Sequence, residues 1–488
     1  MATNTFASQG MNPMLKTFLV KRLPILVLAF CFGFLPTFGE MTPYGMKVLG
    51  CFLGFIYSFI VGEFIFGSIT SMIALIFTGM FETSQSLFQA FFGQDTFVLL
   101  FGILFICALV EEADIGRVVA GFFMNLSMAK KSAFIMIFFF FFSSFIITCF
   151  GNSIITVIMY IEFYRVMAKA AGVPPHHKTN SFVLAGIVLC AGIGEIALPF
   201  KATPLLMLAS YQGLNPDSTL SITEVAVAAF CLCLIINLVY VLIGKFILRV
   251  DLSFFDPERS VIEKPAPTKR QKLILIYMLV MTVLLFAAGI SSSYDNAVMN
   301  VLSTLGLGGV SFGLVILMMC TPCEGEMLLD IRKVGSRFSW DTYFMYTGCV
   351  VILPAIGNEE IGFSATMQAL VEPLLSGLPF VAFIAMLVIG TIVFTNFMNN
   401  FVAPLTFIIF GVSLSGLYPQ LNLDALMITL LVCGFIAMAT PAATTPAAIV
   451  FSHRELISFK NQFVLGCLVC ACFAVVMIPA YFVLAAII

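Results

Sequence analysis

Charged residues are what this sequence has least of. Only 10% of its 488 residues are Asp, Glu, Lys or Arg, whereas 61% are hydrophobic. A soluble domain carries about 25% charged and about 45–50% apolar residues, so the composition excludes a water-soluble globule. Because about 20 apolar residues cross the hydrocarbon core of a bilayer, we predict an all-α polytopic membrane protein with the lipid bilayer as its surroundings.

Other absences exclude whole classes of function. The 23 Lys and Arg form no basic stripe, so no nucleic-acid partner is expected. Three His and no H-E-x-x-H sequence argue against a metal site, and no cofactor is expected apart from a coupling ion. The motif G-x-x-x-x-G-K-[ST] is absent, which disfavours an ATP-driven pump. No motif pairs a nucleophile with a base, so an enzyme is not expected.

Apolar runs between charged or Gly/Pro/Asn-bearing breaks predict about 11 transmembrane helices. They lie near 24–39, 46–62, 64–81, 94–111, 181–211, 223–248, 272–290, 296–320, 340–356, 424–452 and 462–487. Two further segments, 132–168 and 379–418, are too long for one crossing and carry polar residues at mid-length. We predict that each is a re-entrant helical hairpin.

Basic residues support this topology. With the N-terminus in the cytoplasm, 21 of the 23 Lys and Arg fall in cytoplasmic loops, while Lys47 lies outside and Lys201 lies within a crossing. This bias follows the positive-inside rule and would disappear if either hairpin were one crossing. The chain is expected in the inner (plasma) membrane with its N-terminus in the cytoplasm.

The sequence also contains an internal repeat. Asp-Thr-Phe at 95–97 recurs as Asp-Thr-Tyr at 341–343, and T-x-F-x-N-S at 148–153 recurs as T-x-F-x-N-N at 395–400. The segment 112–131 carries three basic residues, whereas its counterpart 357–378 carries Glu and no Lys or Arg, so the copies are expected to have opposite orientation. Inverted repeats with interrupted helices are typical of secondary transporters.

The repeat predicts a division of the chain. A cytoplasmic N-terminal segment, 1–23, precedes the first repeat, 24–248; a cytoplasmic linker, 249–271, separates it from the second repeat, 272–488. Each repeat is expected to contain a scaffold part and a transport part with the re-entrant hairpin. The scaffold parts are 24–131 and 272–378, and the transport parts are 132–248 and 379–488.

Each predicted hairpin has a polar tip, at 151–153 and at 395–400. Irregular backbone at membrane depth persists only where it is buried in protein or lines a cavity. Helix N-termini attract anions and helix C-termini offer carbonyls to cations, while Asn and Ser side chains add donors and acceptors. The alternative is that these amides merely join helices. The crossings that follow are also interrupted, around Gly192 to Pro204 and Thr440 to Pro446, where prolines free backbone carbonyls.

These segments resemble a known family over about residues 20–487. Residues 441–451, P-A-A-T-T-P-A-A-I-V-F, are similar to P-V-A-T-P-P-N-A-I-V-F of the divalent-anion:sodium symporters, the dicarboxylate and sulfate carriers of the ion-transporter superfamily. Residues 395–400 resemble T-N-F-T-S-N-T. The first tip matches Ser-Asn-Thr in either of two registers, 151–153 or 152–154.

The resemblance implies a homodimer, an elevator-like movement, and a set of binding residues. The residues implied for a small anionic solute are Asn152, Ser153, Asn399, Asn400 and Thr444, and Lys201 is a further candidate because of its charge. The residues implied for sodium are Gly151, Asn152, Gly194, Thr395, Asn399, Asn400, Pro441 and Ala443.

Two residues depart from the family pattern. Glu195 and Lys201 stand in the first interrupted crossing where neutral residues are expected, and a charge at this depth is a functional hypothesis by default. Lys201 could form an ion pair with Glu195, act as a counter-ion for the solute, or replace one sodium ion. The leading hypothesis is sodium-coupled symport of small divalent organic anions, and the alternative is a sodium-independent anion exchanger or a proton-linked anion permease.

Overall fold

The computed structural model describes residues 13–257, 266–291, 294–375 and 377–488. Parts of two predicted segments, the N-terminal segment 1–23 and the linker 249–271, lie outside the described residues. Within the described residues the regular structure is helical except for one short β-hairpin.

From residue 13 onward, five α-helices precede the first repeated motif. They are α1 Pro13–Thr17, α2 Leu23–Cys31, α3 Pro43–Val61, α4 Phe64–Thr78 and α5 Ser84–Phe92. Helix α3 shows why the boundaries fall where they do: the Thr42 hydroxyl accepts from the Gly45 amide at its start, and Gly62 ends it with φ 71°. Helix α5 was not predicted from the sequence.

The next seven helices contain the first predicted hairpin. They are α6 Asp95–Glu112, α7 Ile115–Met124, α8 Ala133–Phe150, α9 Ser153–Ala171, α10 Lys178–Gly194, α11 Ala202–Leu214 and α12 Ile222–Leu242. The predicted hairpin 132–168 is therefore two helices that break at the polar tip. The following crossing is interrupted between α10 and α11.

The middle of the chain forms the beginning of the predicted second repeat. It contains α13 Lys269–Gly289, α14 Ala297–Cys320, the antiparallel strands β1 Pro322–Cys323 and β2 Glu326–Met327, and the short helix α15 Ile331–Val334. The β-hairpin was not predicted.

The last seven helices repeat the order of α6 to α12. They are α16 Trp340–Gly357, α17 Phe363–Leu375, α18 Phe380–Thr395, α19 Val402–Ser413, α20 Leu423–Cys433, α21 Thr445–Ser452 and α22 Phe459–Ile487. A pair broken at a polar tip (α18 and α19) again precedes an interrupted crossing (α20 and α21) and one long helix.

The chain divides into two compact units. The first comprises residues up to 91 together with 340–366, and the second comprises 92–339 together with 367–488. Both polar tips and both interrupted crossings belong to the second unit. The division into scaffold and transport parts that the sequence suggested is a different partition and stays a prediction.

Equivalent helices make equivalent contacts in the two units. In the second unit α6 packs on α14, and in the first unit α16 packs on α4. Each contact places a glycine near a serine: a Cβ on Gly102 would lie 2.6 Å from the Ser311 hydroxyl, and one on Gly348 would lie 3.1 Å from the Ser68 hydroxyl and 2.4 Å from the Phe55 ring. Glycine permits the close approach in both copies.

Asp95, the first residue of the repeated Asp-Thr-Phe motif, stabilises a break inside α14. Gly306 has φ 63° there, so the amides of Leu307 and Gly308 lose their helical acceptors. The Asp95 carboxylate accepts from both amides, at 2.8 and 3.0 Å. A side chain on Gly306 would combine an unfavourable φ with a contact at 2.9 Å to that carboxylate.

Six of the described helices are long and apolar enough to cross a membrane. They are α3, α8, α12 with its extension to Ile247, α13, α14 and α22. The count of about 11 crossings, the re-entrant course of the two helix pairs and their inverted orientation stay predictions.

The glycine contact between α6 and α14 can be tested by a matched pair of substitutions. Gly102→Val places branched atoms against Ser311 and should destabilise the protein by about 1–3 kcal/mol. Gly313→Val, on α14 itself, meets no atom within 4 Å and should be tolerated. The apparent melting temperature in detergent should fall for the first variant only; equal values would contradict the packing described.

Candidate functional site

The first tip lies between the C-terminus of α8 and the N-terminus of α9. Gly151 follows α8 and is buried, and Asn152 caps α9, its side-chain Oδ1 accepting from the Ile154 amide at 2.8 Å. The last carbonyls of α8 and the first amides of α9 lack helical partners, so the tip presents negative and positive backbone ends side by side.

An ion pair between buried Lys201 and half-buried Glu195 occupies this first tip. The Lys201 ammonium lies 2.7 Å from the Gly151 carbonyl, 3.0 Å from the Thr148 carbonyl and 2.9 Å from the Glu195 carboxylate. Lys201 is only 6% exposed. The other Glu195 oxygen accepts from the Ser153 amide at 2.8 Å. Lys201 therefore forms the ion pair with Glu195 that was one of its three hypotheses, and it also contacts helix-terminal carbonyls. Its roles as a counter-ion for the solute or a replacement for sodium stay predictions.

Gly194 allows the interrupted crossing to approach α8. A Cβ at this position would lie 2.7 Å from both the Phe145 carbonyl and Thr148 Cβ. Two residues earlier, a Cβ on Gly192 would lie 3.5 Å from the Phe435 carbonyl, an ordinary contact. The first interruption thus lies against α8 on one side and against the second interruption on the other.

The second tip contains only neutral residues. The Thr395 hydroxyl, fully buried, lies within hydrogen-bond distance of the Gly434 carbonyl and 3.1 Å from Asn400 Oδ1. Asn399 Oδ1 accepts from the Phe401 amide at 2.8 Å. These groups form a set of oxygen atoms, of the kind that binds hard cations, without any basic side chain among them.

The two tips have the same local geometry at Asn152 and Asn399. Each Asn uses Oδ1 to accept from the amide two residues later, at 2.8 Å in both. Within the described part of the chain, neither side-chain Nδ2 donates to a protein acceptor. Both side chains are half-buried. Each tip therefore retains an amide donor that is oriented by the backbone and available to an anion.

Asn396 joins the second tip to the second interruption. Its Nδ2 donates to the carbonyls of Ile392 and Ile436, at 2.8 and 3.0 Å, and its Oδ1 accepts from the Ala439 amide at 2.7 Å. The Thr440 hydroxyl donates to the Asn396 carbonyl. The sequence analysis did not select this residue, although it lies inside the tip motif 395–400, because the sequence does not distinguish the roles of the three Asn residues in that motif.

The remaining predicted residues lie at the start of α21. The Thr444 hydroxyl caps that helix by accepting from the Ala447 amide at 3.0 Å. Ala443 is buried and its amide donates to the Thr440 carbonyl, while Pro441 is exposed. Their assignment to solute or sodium stays a prediction.

Glu111, at the end of α6, is a further acidic residue near the first tip. The side chain is half-buried and close enough to Lys201 and Glu195 to interact with both electrostatically. Only the tertiary packing of α6 reveals this proximity.

The apolar helical chain contains two copies of one repeat, and each copy has helix breaks with oriented hydrogen-bond donors and acceptors. These are the features of a secondary anion transporter. A family model described as "Citrate transporter" matches residues 57–433. The chain belongs to this citrate transporter family and is a multi-pass integral membrane protein. The expected resemblance to carriers of divalent anions is thereby confirmed.

A solved structure gives the same fold. The YdaH transporter of Alcanivorax borkumensis superimposes with a TM-score of 0.52 over 85% of this chain and 88% of that chain, at 12% sequence identity. At this identity the likeness concerns the fold alone. No curated protein matches the sequence.

The approach of the interruption to α8 can be tested with two adjacent glycines. Gly194→Ala should destabilise the protein by about 1–3 kcal/mol, because its Cβ meets backbone that cannot move aside. Gly192→Ala should leave the apparent melting temperature in detergent unchanged. The close contact would be refuted if the two variants melted together.

Proposed function

We propose that the protein is a sodium-coupled symporter of small divalent organic anions. The observation that carries the proposal is the matched pair of tips, each with an Asn amide oriented by the same backbone contact at a helix break. Citrate belongs in the set of solutes to be tested, because it is the solute in the description of the family.

The anion would bind through the amide donors of Asn152 and Asn399. A carboxylate accepts hydrogen bonds and has no donor of its own when ionised, so it matches Nδ2 groups that have no protein partner. Two carboxylates on one small molecule could use one tip each. Ser153 and Asn400 supply further donors next to these two residues in sequence, and Thr444 supplies one at the start of α21.

The coupling sodium would bind at the second tip. Sodium prefers hard oxygen ligands, and helix ends inside a transporter supply them as carbonyls. The Gly434 carbonyl, the Thr395 hydroxyl and Asn400 Oδ1 lie together at this tip. No basic side chain occupies the set, so the positive charge would come from solution.

An anion exchanger is the second candidate function. The observation in its favour is the Lys201 ammonium, which contributes positive charge at the first tip without any ion from solution. If the second tip also works without sodium, the carrier would return only when loaded with a counter-anion.

The wider architecture is part of the same proposal. We infer an elevator-like movement of the tip-bearing part, a homodimeric assembly, and a cytoplasmic N-terminus in the inner (plasma) membrane. The charge distribution of the loops supports the orientation.

The proposal is tested by uptake of labelled anions into proteoliposomes. Citrate, a four-carbon dicarboxylate and sulfate are compared with and without an inward sodium gradient. Uptake that requires the sodium gradient supports symport. Uptake that requires a preloaded anion and ignores sodium would replace symport by exchange.

The tip amides can be tested by isosteric substitution. Asn152→Asp and Asn399→Asp keep the Oδ atom that accepts from the backbone but replace the amide donor with a negative charge. Each should raise the KM for a divalent anion at least tenfold, which is about 1.4 kcal/mol. Asn461→Asp, on the exposed surface of α22, is the control. An unchanged KM in both tip variants would remove these residues from the solute site.

The cation site can be tested by two substitutions that lie one helical turn apart on α18. Thr395→Val removes the hydroxyl beside the Gly434 carbonyl and should raise the sodium concentration for half-maximal uptake at least tenfold. Thr391→Val removes a buried hydroxyl that bonds only its own helix, to the Leu387 carbonyl, and should leave it unchanged. Equal sodium responses would place the ion elsewhere.

A further inference from the structure

The two repeats differ in charge at the point where they are otherwise most alike. Residues 193–204 contain Glu195 and Lys201, whereas residues 434–446 contain no charged residue, and neither tip does. We propose that Lys201 permanently replaces the coupling cation in the first repeat, so that the carrier takes a cation from solution only at the second tip. This inference rests on the function proposed above and specifies its ion stoichiometry.

The Lys201 ammonium has the surroundings of a bound cation. Its three donors match three acceptors: the Gly151 and Thr148 carbonyls and the Glu195 carboxylate. Both carbonyls belong to the C-terminal turn and end of α8, where carbonyls lack helical partners and the helix dipole is negative. The side chain is almost completely buried, so it does not exchange with ions in solution.

Glu195 supplies the negative charge that accompanies the Lys201 ammonium at the first tip. One carboxylate oxygen contacts the ammonium, and the other accepts from the Ser153 amide, the first amide of α9. The pair therefore neutralises the negative end of α8 and the positive end of α9 at once. A solute at this tip would meet the Asn152 amide rather than an unpaired helix end.

The second tip shows what the first would be without the pair. Thr395, Asn400 and the Gly434 carbonyl present oxygen atoms with no ammonium among them. The break there is held by the neutral side chains of Asn396 and Thr440. The first repeat thus has an internal cation at its tip, whereas the equivalent position in the second repeat can accept a cation from solution.

The test is the sodium response of Lys201→Ala compared with the unaltered protein. Removing the ammonium leaves two carbonyls and a carboxylate that sodium can occupy. We expect the Hill coefficient for sodium in uptake to rise from about 1 to about 2, since it is bounded by the number of sites. Sodium should also raise the apparent melting temperature of purified Lys201→Ala more than that of the unaltered protein, and potassium should not. Lys460→Ala, which removes an exposed lysine, is the control.

The outcomes separate this inference from the proposed function. A response to one sodium ion that is unchanged in Lys201→Ala overturns the inference and leaves symport intact. No response in the unaltered protein but a response in Lys201→Ala overturns symport and supports the inference. No response in either overturns both.

The inference can still be tested if Lys201→Ala does not fold. Lys201→Met keeps the apolar stem of the side chain and serves as the second variant. The unaltered protein also provides a test by itself, through the number of sodium ions bound at equilibrium: two ions overturn the inference, and one ion supports it.

Discussion

Backbone groups freed by a helix break must find partners inside the protein, because the apolar surroundings supply none. Besides the break at Gly306, the described part of the second unit contains four such breaks, at the two tips and the two interruptions that follow them. At the first tip the freed carbonyls and amide are satisfied by Lys201 and Glu195. At the second they are satisfied by Thr395, Asn396 and Thr440. The rest of the site is arranged around these contacts.

The same duplicated backbone has thus been stabilised in two chemically different ways. An ion pair stabilises the first break and neutralises both helix ends, because each end already contacts a side chain of opposite charge. Neutral side chains hold the second break and leave its oxygen atoms without a positive partner. Under the proposed function, this symmetric architecture would bind a solute symmetrically, through Asn152 and Asn399, while binding ions asymmetrically.

The contacts also join each tip to the interruption that follows it. Asn396 bonds α18 to residues 436, 439 and 440, and Lys201 bonds the first interruption to the end of α8. A tip that moved alone would leave buried donors and acceptors without partners, which costs about 1–3 kcal/mol for each group. Tip and interruption are consequently expected to move as one body during transport.

The sequence by itself determined the class of protein, the repeat and the positions of the breaks. Composition excludes a soluble fold, and Gly, Pro and Asn within apolar runs mark where helices end, because these are local properties of the chain. Only the tertiary structure decided which groups meet at those breaks. Lys201 reaches Gly151 across 50 residues, Asn396 reaches Ala439 across 43, and Glu111 approaches both charged residues from another helix. Such pairings depend on how helices pack, and glycines such as Gly194 permit that packing without revealing in the sequence which helix will approach.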